Sequence, residues 1–355
     1  MELREWLTLA VEKRASDIFI GAGRRMSFKI GGVIIGQGDG PVSVEESRRI
    51  VKGLYELANR SIDRFEQNGD DDFPITLPGV ARFRVSAYNQ RGTYAAVIRV
   101  VLFELPDYKM LGIPDDVMQI ANEKNGLVLV TGPAGSGKTT TLACAIDQIN
   151  KSRNCHIITL EDPIEYLHRD CKSLVSQREI STDTESYLSA LKACLRQAPD
   201  IVLLGEMRDH ETIKTAMTAA ETGHLIISTL HTVGAVNTID RIIDVFSPGQ
   251  QQQVRVQLSM LLRTVISQKL IIKKDGGIVP AFEIMHVNSS IRNLIRESKT
   301  HQIDNVIQTS SNLGMISMDS YILNLVQKGE VSHEVAINQA ANQEQMSKYL
   351  ERIGK

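Results

Sequence analysis

The sequence predicts a two-part α/β protein of 355 residues. A small mixed α/β unit spans residues 1–102, and a larger unit from 115 to 355 is built on a parallel sheet with a helical extension from about residue 250. Three observations carry this reading. Between residues 115 and 245, short and almost wholly apolar runs alternate with helix-periodic segments, as strands covered on both faces do. One of those runs passes through a glycine-rich loop directly into a helix. Before residue 103, by contrast, residues 81–87 alternate apolar and polar, the mark of a strand with one buried face.

In chain order, β-type runs at 17–20, 26–30 and 33–35 are separated by glycines, and a polar helix follows over 44–59. The alternation at 81–87 buries one face and sends Arg82 and Arg84 to the other, and a second strand at 94–101 carries Arg99 near its end after a turn at Gly92. Residues 103–114 hold Pro106, Gly112 and Pro114 and read as the interdomain linker. Strands are then predicted at 127–131, 156–160, 201–204 and 225–229, with helices at 187–195 and 211–221 among those between them. After about residue 245 the chain is expected to turn helical and polar.

Composition narrows the class. Apolar residues make up 42% and charged residues 23%, as in a soluble globular protein, and a net charge of −2 gives no basic footprint for nucleic acid. The charged start argues against a secretory signal, and the apolar segment 258–272 is interrupted by Arg263, Gln268 and Lys269, so no span of a bilayer is expected. Four cysteines without Cys-x-x-Cys spacing read as free thiols in a reducing compartment, so a cytoplasmic protein without a structural zinc site is expected.

The glycine-rich loop is Gly132-Pro133-Ala134-Gly135-Ser136-Gly137-Lys138-Thr139, which matches the eight-position phosphate loop in full. Its glycines let successive N–H groups turn into one cavity for phosphate oxygens. Lys138 would reach the β- and γ-phosphates, and the Thr139 hydroxyl would ligate Mg²⁺, with Thr140 completing the nucleotide contacts. Leu142, Ala145, Ile146 and Ile149 continue at helical spacing, so the positive end of a helix faces the phosphates. The expected ligands are a nucleoside triphosphate and Mg²⁺.

Three further segments follow the predicted strands, at the end where an open parallel sheet binds its ligand. Glu161, Asp162 and Glu165 supply a carboxylate to deprotonate water, or alternatively only an acidic cap. The apolar run 201–204 ends in Gly205-Glu206, the shape of a Walker B element whose acid holds Mg²⁺, against the alternative of a strand-end charge. His224 and His231 are separated by seven residues of extended chain, roughly 20 Å, and cannot share one metal ion. His231 at the carboxyl end is placed to sense a γ-phosphate, and His224 reads as structural. Arg82, Arg84, Arg91 and Arg99 lie in the other unit, where solvated charge is the plain reading, yet a neighbouring subunit would supply them in trans to a phosphoryl transition state.

Taken together, these residues resemble the type IV pilus retraction ATPases of the PilT type, within the secretion-ATPase superfamily. The carriers are the loop at 132–139, Glu161-Asp-Pro-Ile-Glu165-Tyr, Gly205-Glu206-Met-Arg208-Asp, the histidine box continuing through 238–246, the motif Ser290-Ile-Arg292-Asn293-Leu294-Ile295-Arg296-Glu297, and residues 314–319. The resemblance implies a PAS-like N-terminal domain, a RecA-like C-terminal domain and a ring of six subunits. It further implies that Glu165 is the catalytic base, Glu206 the Walker B acid and His231 a γ-phosphate responder, and that Arg84 and Arg99 complete the site across a subunit boundary. Implied partners are further copies of the chain, an inner-membrane platform protein and the pilus machinery, met at the inner face of the cytoplasmic membrane and without nucleic acid. Phe19 replaces the family's histidine, Ala198 an aspartate and Ser290 an alanine, which leaves the nucleotide chemistry untouched. Ile291, Leu294 and Ile295 are expected to pack on the core and leave Arg292, Arg296 and Glu297 for a partner. A related secretion or pilus-assembly ATPase, a RecA-like nucleic-acid translocase and a nucleotide-gated scaffold remain the alternatives. Absence of a four-cysteine zinc motif argues against the assembly and type II secretion branch.

Overall fold

The computed structural model describes residues 2–101 and 105–353, so Phe103 and Glu104 of the expected linker lie outside the described residues. The chain divides into two compact units, Met1–Leu105 with Glu165–Leu167, and Pro106–Ile164 with His168–Lys355.

The first unit is an antiparallel sheet backed by helices. Its strands are β1 (Asp17–Gly21), β2 (Ser27–Ile30), β3 (Val33–Gly36), β4 (Asp70–Leu77), β5 (Ala81–Gln90) and β6 (Thr93–Val101), in the order β3-β2-β1-β6-β5-β4. The helix Val44–Leu57 starts where the Ser43 side chain accepts the Glu46 N–H, with Glu45 and Glu46 complementing its positive end. It buries Ile50, Val51, Leu54 and Tyr55 on a core that includes Ile18, Ile20, Phe83, Val85 and Ile98. β4 and the helix Leu3–Glu12 were not expected from sequence. In β4 the acidic run Asp70-Asp71-Asp72 masks a period-two pattern that buries Asp71, Phe73, Ile75 and Leu77.

The second unit contains β7 (Gly126–Thr131), β8 (His156–Glu161), β9 (Leu174–Glu179), β10 (Ile201–Leu204), β11 (Leu225–Leu230), β12 (Leu262–Ile272) and β13 (Ile278–His286), in the order β13-β12-β7-β11-β10-β8-β9. All neighbours run parallel except the β12–β13 pair. Residues 262–286 therefore correct the expectation of a purely helical region after 245. β12 enters the sheet between β7 and β13, so both of its edges are paired, and Gln268 and Ser267 are about as buried as Val265 and Ile266. Helices do follow, beginning with Ser289–Arg296, which buries Ile291 and Ile295 and leaves Arg296 and Glu297 exposed.

The parallel arrangement brings the carboxyl ends of β7, β8, β10 and β11 to one edge, because Thr131, Leu160, Leu204 and Ser228 follow one another across neighbouring strands within a few residues of register.

Candidate functional site

The phosphate loop leaves β7 and enters the helix Lys138–Ser152. Gly132, Gly135 and Gly137 have φ of 142°, 75° and 86°, which only glycine adopts without strain. The outer two also meet a wall. A Cβ on Gly132 would lie 2.2 Å from the Gln268 carbonyl oxygen, and one on Gly137 would lie 2.9 Å from Gln268 Nε2. Gln268 itself is 2% exposed, and its Oε1 accepts the Thr141 hydroxyl at 2.8 Å. β12 thus closes the back of the loop through one glutamine. Sequence reasoning had used Gln268 only to break an apolar segment; a polar residue at an otherwise buried strand position was the available signal.

Lys138 opens the helix, and its Nζ donates to the carbonyl oxygens of Gly132 (2.8 Å) and Pro133 (2.9 Å). Burial lowers its pKa from the usual lysine value, while the negative charge of Glu206 opposes that shift, so the two groups lie within electrostatic reach. The Ser136 side chain is buried with no hydrogen-bond partner for its Oγ among the described residues. Thr139 is exposed at the mouth, and Pro133, Ala134 and Gly135 form the open rim. An unpaired buried hydroxyl, a lysine ammonium and a helix N-terminus around a glycine cradle fit a polyphosphate.

Glu206 follows β10 and is 9% exposed. Its carboxylate pairs with the Arg208 guanidinium, and its Oε2 lies 3.3 Å from His231 Nε2, at the end of β11. Gly205 is needed here, since a Cβ would fall 2.7 Å from the Tyr187 hydroxyl. Tyr187 has its pKa raised, first by burial and then by Asp162, Glu206 and Glu161, so three carboxylates converge around one phenol. The loop, Glu206, His231 and Arg208 therefore form one polar cluster on the second unit. Arg208 and Tyr187 belong to it although sequence gave them no role.

Of the acidic segment, Glu161 is the last residue of β8 and is tied down. Its Oε1 accepts from the Thr159 hydroxyl at 2.6 Å and from Gln177 Nε2 at 3.1 Å. Glu165 is exposed and belongs to the first unit, so it is not part of the cluster that the second unit forms by itself. His224 stays apart, with Nδ1 3.0 Å from the Ala219 carbonyl and 3.1 Å from the Thr222 hydroxyl at a helix end, a structural position. Among the described residues no group of three or more His, Cys, Asp and Glu side chains forms a metal cage.

On the first unit, Arg84 of β5 and Arg99 of β6 stand opposite each other in register, and Arg99 in turn stands opposite Asp17 of β1. The Arg99 Nε donates to Asp17 Oδ1 at 3.1 Å.

Comparison with known proteins fits this arrangement. The chain is 43% identical over 341 residues to the type IV pilus retractation ATPase PilT of Pseudomonas aeruginosa, covering 96% of this chain and 98% of that one. It is 47% identical over 307 residues to a twitching motility protein of Neisseria gonorrhoeae, with 86% and 82% covered, and 37% identical over 341 residues to the type IV pilus ATPase PilU of P. aeruginosa. A crystal structure of the pilus retraction motor PilT with bound ADP superposes with a TM-score of 0.89 at 41% identity, over 98% of this chain and 99% of that one. The Legionella pneumophila ATPase DotB follows with a TM-score of 0.74 at 25% identity. A family model described as type II/IV secretion system protein matches residues 2–350, and the chain belongs to that family.

Proposed function

We propose that this protein hydrolyses ATP as a ring of identical subunits and that the energy powers retraction of a type IV pilus, and so twitching motility. The observation that carries the chemistry is a complete phosphate loop at the end of β7 with Glu206 in electrostatic reach of its lysine, Lys138, and itself paired with His231 and Arg208. The retraction assignment rests on similarity to PilT along nearly the whole of both chains.

In this reading, the N–H groups of the loop and Lys138 hold the β- and γ-phosphates. Thr139 and Glu206 would hold Mg²⁺, which neutralises phosphate charge when bound. Glu165 takes the proton of the attacking water as its oxygen bonds to the γ-phosphorus and the bond to ADP breaks, releasing ADP and phosphate. His231 responds to the γ-phosphate through its contact with Glu206. Arg84 and Arg99 of an adjoining subunit meet the charge that spreads over the transferring group. Among the described residues no helix is long and apolar enough to cross a membrane. In this reading the protein works at the inner face of the cytoplasmic membrane, docked to a platform protein of the pilus machinery.

The test has two arms. Phosphate release by the full chain should fall at least about 100-fold in Glu165→Gln while ATP still binds. Deletion of the gene should leave piliated cells whose filaments extend but do not shorten under the microscope. Unpiliated cells would instead favour an assembly motor.

A further inference from the structure

Two arginines facing each other on adjacent strands should not rest easily. Arg84 and Arg99 are direct cross-strand partners, and like charges in that position destabilise a sheet. The third member of the row relieves this. Asp17 stands opposite Arg99 on its other side, so β1, β6 and β5 carry Asp, Arg and Arg in line.

The geometry of the pair is specific. The Asp17 side chain is 8% exposed, whereas that of Arg99 is 68% exposed, so an almost buried carboxylate anchors the base of an open guanidinium. Oδ2 of Asp17 accepts the Ser16 hydroxyl at 2.8 Å, which turns Oδ1 toward Arg99. The contact is made through Arg99 Nε. A guanidinium bound at Nε keeps its two Nη groups together as an unused fork, the edge that matches phosphate oxygens two at a time. A salt bridge serving only the sheet would gain more from capturing the fork itself.

We propose that Asp17 is a positioning residue for phosphoryl transfer. It fixes Arg99 by Nε, so that the Nη fork points outward for the terminal phosphate held by an adjoining subunit, and it offsets the repulsion between Arg99 and Arg84. The inference rests on the reading of Arg99 given above and adds the group that orients it. Asp17 itself touches no substrate.

The experiment is a kinetic double-mutant cycle on the assembled full-length protein, measuring phosphate release against ATP concentration for wild type, D17N, R99A, D17N/R99A and D17E. Misplacing a catalytic group by about 1 Å costs on the order of 10²-fold, so D17N should lower kcat about 10- to 100-fold. KM should stay within about twofold, as for an interaction made in the transition state. R99A should lose at least as much, and adding D17N to it should change kcat less than about twofold, because the group being oriented is already gone. D17E, which keeps the charge, should recover part of the D17N loss. A D17N enzyme with wild-type kcat beside an impaired R99A overturns the inference and leaves the role of Arg99 standing. An R99A enzyme with wild-type kcat overturns the reading beneath it. Equal factors for D17N in both backgrounds would show that Asp17 only supports the sheet, and would also overturn the inference. Should D17N fail to assemble, the same cycle with Ser16→Ala decides: it keeps the carboxylate while removing the hydroxyl that holds Oδ2 and also contacts the Lys29 carbonyl at 3.3 Å, and its smaller loss in kcat must vanish in the R99A background.

Discussion

Replacing Gln268 by methionine tests whether β12 builds the rear wall of the phosphate loop. The side chain is 2% exposed and its Oε1 accepts the Thr141 hydroxyl at 2.8 Å, while Thr141 is itself fully buried. Gln268→Met leaves that hydroxyl buried and unpaired, at a cost of about 1–3 kcal/mol. Thr141→Val removes the other partner and strands the amide oxygen at a similar cost. Removing both partners together leaves two apolar groups of nearly the original shape, so the double variant should recover about 1–2 kcal/mol relative to the sum. For a unit of this size each kcal/mol is about 2–4 °C in Tm, and each single variant should unfold roughly 3–10 °C below wild type. Thermal unfolding followed by calorimetry reads these values. ADP affinity adds a second readout: Gln268 also packs on Gly137, so Gln268→Met should weaken ADP about five- to tenfold, near 1 kcal/mol, whereas Thr141→Val should not. Strict additivity of the two substitutions, within about 0.5 kcal/mol, would refute the coupling and with it the idea that one glutamine ties helix to strand.

Further outcomes are expected. If Arg99 acts across a subunit boundary, mixing the inactive variants Arg99→Ala and Glu165→Gln should restore roughly a quarter of sites in randomly assembled rings, and phosphate release that stays at background would refute action in trans. Gly205→Ala pushes a methyl to 2.7 Å from the Tyr187 hydroxyl, so it should destabilise by about 1–3 kcal/mol and lower kcat; adding Tyr187→Phe should return part of the stability, and no return would place the strain elsewhere. His168 and His286 both have pKa values lowered from 6.5 by burial, so their neutral forms favour the fold. The unfolded chain then takes up their protons first as pH falls below 6.5, and Tm should drop through that window, less steeply in His168→Gln; an unchanged slope would exclude His168 as a contributor.

The legible parts of the chain were those with local causes. Residues 127–130, 201–204 and 225–227 are apolar throughout, and the glycines at 132, 135 and 137 carry their conformational demand on their face. Glu206 and His231 stood out because each follows such a strand closely, and the structure brings them within 3.3 Å. The missed parts depended on partners far away in sequence. β12 was not anticipated as a strand: Arg263, Gln268 and Lys269 interrupt its apolar run, yet Gln268 Oε1 accepts from Thr141 and Lys269 donates to the Gln339 carbonyl. β4 was hidden by three consecutive aspartates, of which Asp71 is neutralised by Arg60 at 3.1 Å and Arg64 at 3.6 Å. Tyr187 and Arg208 gained their places from carboxylates that converge only after the sheet has formed.

The wall behind the phosphate loop comes from a strand 127 residues downstream of the helix it braces. A ribosome has already released the whole nucleotide-binding motif long before residue 268 emerges, so the nascent chain holds the signature without the socket. Nucleotide capture should therefore wait until the late hairpin docks beside β7, and a chain cut short before β12 should be blind to ATP even with every residue of the motif in place.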